Sequence, residues 1–209
     1  AAGFSIVDCP QYSPNTTFGH GLNSAPNLII AKTYEQGGQW AVYHSGLDSG
    51  KILYLNQNYA QFTSSIFNST APTSSVFSMG ASYAGSGAII AYCWHDVEGF
   101  QKFGKYEGNG SDNGSFIYTG FRPRYFWLKE IDVADDWVIY DTARDTANTG
   151  SSKVVRFEAS STEFDDASRA VDVYSNGLKI RTSNNTINAT NTYIYAAWGD
   201  VPFKYNNTF

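Results

Sequence analysis

At 209 residues, 16% of them aromatic and 16% charged, the chain has room for one large or two small domains and enough apolar matter to pack a core. A net charge of −5 leaves no basic footprint, which argues against nucleic-acid binding and attraction to anionic membranes. Apolar runs stay far below the ~20 residues a bilayer-spanning helix needs, so membrane insertion is not expected.

Helical periodicity is nearly absent. Short apolar segments instead recur between polar turn clusters, the spacing of sandwiches and barrels. The pattern predicts strands over residues 4–9, 16–18, 27–34, 39–44, 51–56, 75–79 and 88–95. It continues over 102–106, 115–118, 124–131, 136–141, 153–158, 170–174, 178–181 and 192–198. Leu178-Lys-Ile-Arg181 alternates, as a strand with one wet face does, whereas Tyr125-Phe-Trp-Leu128 is continuous and suits a strand covered on both faces. One short helix is expected over 161–168, with Ser161 or Thr162 as its cap.

The chain is also written twice. Pro26, Lys32, Trp40 and Tyr43 return 97 positions later as Pro123, Lys129, Trp137 and Tyr140. Near the end of each unit Trp94 and Asp96 return as Trp198 and Asp200, now 104 positions on. The expected fold is therefore all-β: two tandem, internally duplicated β-sandwich units, jelly-roll or lectin-like, of roughly 100 residues each. Their expected spans are 1–100 and 101–209, with about seven residues inserted mid-unit in the second. A single sandwich built from interleaved halves is the rival architecture.

Candidate chemistry can be weighed by comparing the copies. His44 aligns with Asp141 and His95 with Gly199, while His20 has no counterpart, so surface or loop histidines are favoured over catalytic ones. Asp132, Asp135, Asp136, Asp141, Asp145, Asp165 and Asp166 could donate oxygen to Ca²⁺, though no EF-hand spacing occurs and solvated loops are the plainer reading. Paired-carboxylate hydrolysis finds only Asp96/Asp200 shared, beside a shared Trp, where turn fixing is favoured. Cys9 and Cys93 could pair or stay as buried thiols. Tyr12, Tyr34, Tyr59, Tyr83, Tyr106 and Tyr205 lie near loops or strand ends and could stack on sugar rings, Tyr34 and Tyr83 being the chosen ligand contacts. The paired tryptophans and Trp127 read as core. Seven Asn-x-Ser/Thr sequons, at Asn15, Asn68, Asn109, Asn113, Asn184, Asn188 and Asn206, mark surface loops. No catalytic set, cofactor motif or metal-ligand set stands out, and an enzyme is not expected.

Taken together, Ala25-Pro-Asn-Leu-Ile-Ile-Ala-Lys32, Trp40-Ala-Val-Tyr-His44, Ile90-Ala-Tyr-Cys-Trp94, Glu98-Gly-Phe-Gln-Lys-Phe-Gly104, Tyr118-Thr-Gly-Phe-Arg-Pro123 and Ser175-Asn-Gly-Leu-Lys-Ile-Arg-Thr-Ser183 resemble one family. It is a tandem β domain of predicted virion-surface and tail-fibre proteins of tailed phages, many from marine and cyanobacterial hosts, where it often follows a concanavalin A-like lectin module. The resemblance implies a non-enzymatic virion structural protein on the particle surface: a capsid decoration or a head- or tail-fibre module able to attach to a host. With nothing ahead of the domain, a compact surface subunit fits better than a long fibre. Expected partners are further copies of the chain (a trimer is the guess), other virion proteins such as the capsid, and host surface glycan. The alternative function is a lectin-like carbohydrate-binding module, and a polysaccharide depolymerase is the third.

Overall fold

A computed structural model describes residues 3–10, 13–83, 87–145 and 148–200. The chain forms two compact units, Ala1–Asp96 and Val97–Phe209. The division falls after Asp96 rather than after residue 100, because Val97 and Gln101 pair backbone to backbone and close a tight turn with the second unit.

In the first unit β1 (Phe4–Cys9), β3 (Leu28–Thr33), β4 (Ala41–His44), β5 (Lys51–Tyr54), β6 (Phe62–Thr63) and β8 (Ile89–Trp94) form an antiparallel sheet in the order β1-β8-β3-β4-β5-β6. A second sheet pairs β2 (Thr16–Gly19) with β7 (Val76–Met79). Phe77 and Met79 of β7 share one core with Ile29, Ala31, Ala41, Ile52, Ala91 and Cys93 of the large sheet, so the small sheet covers one of its faces. This is a two-layer β sandwich.

The second unit has β9 (Gln101–Glu107), β11 (Pro123–Glu130), β12 (Trp137–Asp141), β13 (Ser152–Arg156), β14 (Phe164–Asp166) and β17 (Thr192–Gly199) in the order β9-β17-β11-β12-β13-β14. Renumbered from its own start this is 1-9-3-4-5-6, the order 1-8-3-4-5-6 of the first unit with one strand inserted before the last. Its small sheet, β10-β16-β15, is built from β10 (Phe116–Tyr118), β15 (Val171–Tyr174) and β16 (Gly177–Ile180) and has one strand more. Its core joins Phe126, Leu128, Val138, Tyr140 and Tyr195 to Ile117, Leu178 and Ile180.

The registers agree residue by residue. Leu28 faces Trp94 as Tyr125 faces Trp198, and Lys32 faces Ile90 as Lys129 faces Ile194. Leu28 faces His44 as Tyr125 faces Asp141. The offset is 97 at Tyr43/Tyr140 and 102 at Lys51/Lys153, so five residues are added in the loop before β13. Both large sheets bury side chains on both faces. Val42 and Leu53 are fully buried opposite the first core, and Trp127, Trp137 and Phe157 pack edge-on opposite the second.

The pattern missed β6 and β14, which are equivalent edge strands of two and three residues. The helix expected over 161–168 is a 3₁₀ turn at Ala167–Arg169 capped by Asp166, while α1 (Asn185–Asn188) is a single turn capped by Asn184. Cys9 lies opposite Ile89 and Cys93 opposite Ser5. Four residues along the ladder put the two α-carbons roughly 13 Å apart, too far for a disulfide. Both thiols are free, and burial pushes each up to about 12.

Candidate functional site

The shared polar residues are built into the frame. Lys32 donates to the carbonyls of Thr33 and Gln36, and Lys129 to that of Glu130 at 2.6 Å. Lys129 is fully buried, lies 5.9 Å from the Trp137 ring centre, and is pushed down to about 8 by burial despite the acids around it. The amide of Trp40 donates to Asn56 at 3.0 Å, and that of Trp137 to Glu158 at 3.3 Å. An amide in one unit and a carboxylate in the other thus do the same job. Burial, and a hydrogen bond shared with Asp136, hold the Glu158 carboxyl above the usual range.

The histidines are buried rather than surface groups. Nδ1 of His20 accepts from Leu22 at 3.1 Å while Nε2 meets the Thr73 carbonyl at 3.1 Å. Nδ1 of His44 accepts from Gly46, and the equivalent Asp141 accepts from Ala143, both at 2.9 Å. His44 and Asp141 are interchangeable acceptors for the amide two residues on, which is why the chemistry could change while the turn stayed.

The acidic loops are taken up in the same way. Asp132 accepts from Thr192 and Asp145 from Lys153, Asp136 pairs with Arg156 and Arg169, and Asp166 pairs with Arg169. Asp200 pairs with Arg124, while the amide of Asp96 is held by Asn27, the residue equivalent to Arg124. Among the described residues no group of three or more His, Cys, Asp or Glu could hold a metal ion.

The chosen aromatic contacts part company. Tyr34 is 56% exposed, its hydroxyl donating to Asp8 at 3.1 Å. Tyr83 belongs to the core, 7% exposed, because the loop after β7 folds it inward and its hydroxyl donates to the Gln39 carbonyl at 2.5 Å. Its ring is not offered to a ligand. Tyr59 is exposed, Tyr106 is stacked on Tyr193 inside the second core, and Tyr12 and Tyr205 lie outside the described residues. Asn188 is no surface sequon. Its buried amide donates to Asn109, Ser111 and Thr182, leaving no room for a glycan, and Asn206 lies outside the described residues.

Two features escaped the sequence reading. The first is an aromatic face on β10-β16-β15, where Tyr118 is 65%, Phe116 46% and Tyr174 44% exposed. Phe116 and Tyr174 meet edge-on at 6.1 Å across β16, and Tyr118 stands opposite Gly177. A side chain at Gly177 would reach to 2.2 Å from the Ile117 carbonyl and 2.9 Å from the Phe116 ring, so glycine is what lets the rings gather. The matching face of β2-β7 carries Thr17, Gly19, Val76 and Ser78. Period-two alternation in Phe116-Ile-Tyr118 was the signal available.

The second is a cleft of about 230 Å³ in the first unit. Its floor is Tyr43, Ile52 and Phe67, the two rings edge-on at 6.1 Å. Its walls carry Ser45, Ser49, Ser64, Ser69 and Thr70, with Asp48 and Lys51 at the rim. Asp48 is clamped by Gln61, which donates to its carboxylate at 2.8 Å and accepts from its backbone amide at 3.0 Å. Ser69 of the far wall (φ 46°) and Asn68 just before it (φ 53°) are consecutive left-handed residues. The wall is pressed so close to Gly80 that a β-carbon there would lie 1.8 Å from the Ser65 carbonyl.

At the matching corner of the second unit, beside Tyr140, Asp141 and Thr142, only about 10 Å³ remains, room for one water at most. Val171 and Val173 of the extra strand fill it, and Asn148 in the lengthened loop bonds both backbone groups of Val173. A shallower hollow of about 220 Å³ by Phe121, Arg122 and Asp200 has no comparable hydroxyl wall.

A family model described as Domain of unknown function (DUF7483) matches residues 1–202, nearly the whole chain. The chain belongs to the DUF7483 family. No curated protein and no solved structure matches it. That family description names no substrate, so function has to be argued from the twin frame and the two features found in one copy each.

Proposed function

We propose that the chain is a non-enzymatic structural protein on the surface of a tailed-phage particle, either a capsid decoration or a head- or tail-fibre module that helps attach to the host. The observation that carries this reading is the matched register of the two units: residues kept in both bond to the frame, while their exposed faces differ, aromatic on β10-β16-β15 and not on β2-β7. A frame held constant while its faces vary suits a protein whose work is to present surfaces. Self-association, with a trimer as the working form, would multiply weak contacts. The strand β1, at an edge of the large sheet with Ile6 56% and Phe4 41% exposed, supports it. Electron cryomicroscopy of intact particles, with a tag on the chain, tests the proposal. Density at regular sites on the head or tail is the expected result, and particles free of the chain would overturn it.

The aromatic face Phe116, Tyr118 and Tyr174 favours a second reading, a lectin-like module contacting host polysaccharide. Exposed rings on a sheet stack on the apolar faces of pyranose rings, at roughly 1 kcal/mol each. A glycan array should give signals that fall at least about tenfold in the Phe116→Ala/Tyr118→Ala double variant, a loss of about 1.4 kcal/mol. A blank array for the unaltered chain would remove this reading.

A further inference from the structure

We propose that the cleft of the first unit is a separate binding site for one neutral sugar residue, the tip of a glycan rather than a length of it. The inference deepens the saccharide-binding reading and rests on it, but uses different residues from the aromatic face.

Size comes first. About 230 Å³ is below the ~300–1,000 Å³ of clefts that take drug-sized ligands, so the space suits a single ring. Charge comes next. One carboxylate, Asp48, and one ammonium, Lys51, leave the lining without net charge, which selects against phosphates and polyamines.

Chemistry decides the class. A sugar ring presents an apolar face bounded by hydroxyls that both donate and accept. The half-buried Tyr43 ring, with Phe67 packed beneath it, answers the first. Ser49 answers the second, along with the hydroxyl oxygens of Ser69 and Thr70, which keep acceptor capacity while their protons go to the carbonyls of Ser64 and Asn68. Asp48 is already aimed by Gln61, so a carboxylate acceptor for vicinal hydroxyls is in place before binding.

Backbone strain points the same way. Asn68 and Ser69 hold left-handed conformations in succession, a costly arrangement for residues other than glycine, and they shape the wall that keeps the cleft open. The second unit shows that the fold does not require the opening. The same corner is plugged there by valines and Asn148.

Titration of the full chain with glucose, galactose, mannose and N-acetylglucosamine, followed by amide NMR, tests the site. At least one sugar should move the Ser49, Ser69 and Thr70 signals with millimolar affinity, which corresponds to roughly 4 kcal/mol. Asp48→Asn should weaken it about tenfold, and Ser49→Phe, which fills the space from an exposed loop, should abolish it. Cleft signals unmoved by every sugar at tens of millimolar, or binding unchanged in both variants, would overturn the proposal. Array glycans still bound by both cleft variants but lost on Phe116→Ala/Tyr118→Ala would sink the cleft alone. A blank array for the unaltered chain would sink the saccharide reading with it.

Discussion

The two units share a strand order and a register, yet they solve three local problems with different chemistry. At the core, the first unit places Ala31, Ala41 and Ala91 on its large sheet where the second places Leu128, Val138 and Tyr195. The missing volume is supplied by Phe67 and Tyr83, which fold in from loops. At the hairpin base, Gln39 and Asn56 of the first unit become Asp136 and Glu158 in the second, with Arg156 and Arg169 close by. At the corner beside Tyr43 and Tyr140, a cleft in one unit is a plug in the other. Backbone pairing is what the two units share, while side-chain volume and charge differ between them, with the sum at each site still closing.

The comparison can be tested by substitutions at equivalent positions. The largest effect is expected at the shared tryptophans. Trp137 is fully buried against Trp127 and Phe157, so Trp137→Ala should cost about 3–5 kcal/mol in denaturant unfolding. Trp40 is only half-buried, and Trp40→Ala should cost clearly less. Equal losses would mean that the two frames are not energetically alike.

Next comes pH. Folded Lys129 releases its proton near pH 8, whereas the unfolded chain holds it to about 10.5. Between those values the unfolded state binds more protons, so stability should rise with pH, by up to roughly 3 kcal/mol. Lys129→Met should flatten that rise, and chemical denaturation at pH 7.5 and 10 reads it.

Glu158 has the opposite sign. Its carboxyl is raised, so the stability it lends is complete below about 4.5 and is lost as pH climbs through its folded pKa. Glu158→Gln imitates Asn56 and should stabilise the chain by roughly 1–3 kcal/mol above neutrality, with no gain at pH 4. A variant less stable than the parent at pH 8 would contradict the equivalence of the two positions.

The smallest effect belongs to the reciprocal swap. Asp141 is half-buried beside Arg124 and Arg144, so Asp141→His should cost less than about 1 kcal/mol. His44 is fully buried, and His44→Asp should cost roughly 1–3 kcal/mol through desolvation of the new charge. A thermal-shift comparison should preserve that ranking.

Sequence alone went far with whatever depends on local pattern. Among the described residues, alternation and turn residues located every strand of four residues or more, and the doubled spacing of Trp, Lys and Tyr matches the offsets the registers display. It failed on β6 and β14, since two or three residues at a sheet edge make no periodic signal. It also misplaced Tyr83, the histidines and Asn188. Near a turn, a ring, an imidazole or an amide looks exposed until the chain that returns over it is known.

Strand identity and antiparallel pairing were thus set by the order of residues, because backbone hydrogen bonding and side-chain alternation act over a few neighbours. Depth of burial was not: of the four paired tryptophans read as core, only Trp137 is buried, while Trp40, Trp94 and Trp198 are half-buried. Nor was which loop fills which void. Tyr83 reaches the Gln39 carbonyl across 44 residues, and Asn148 seals a corner with Val173 across 25. Such contacts depend on distances that exist only after both layers have closed, so folding alone decided where the surface keeps a hollow.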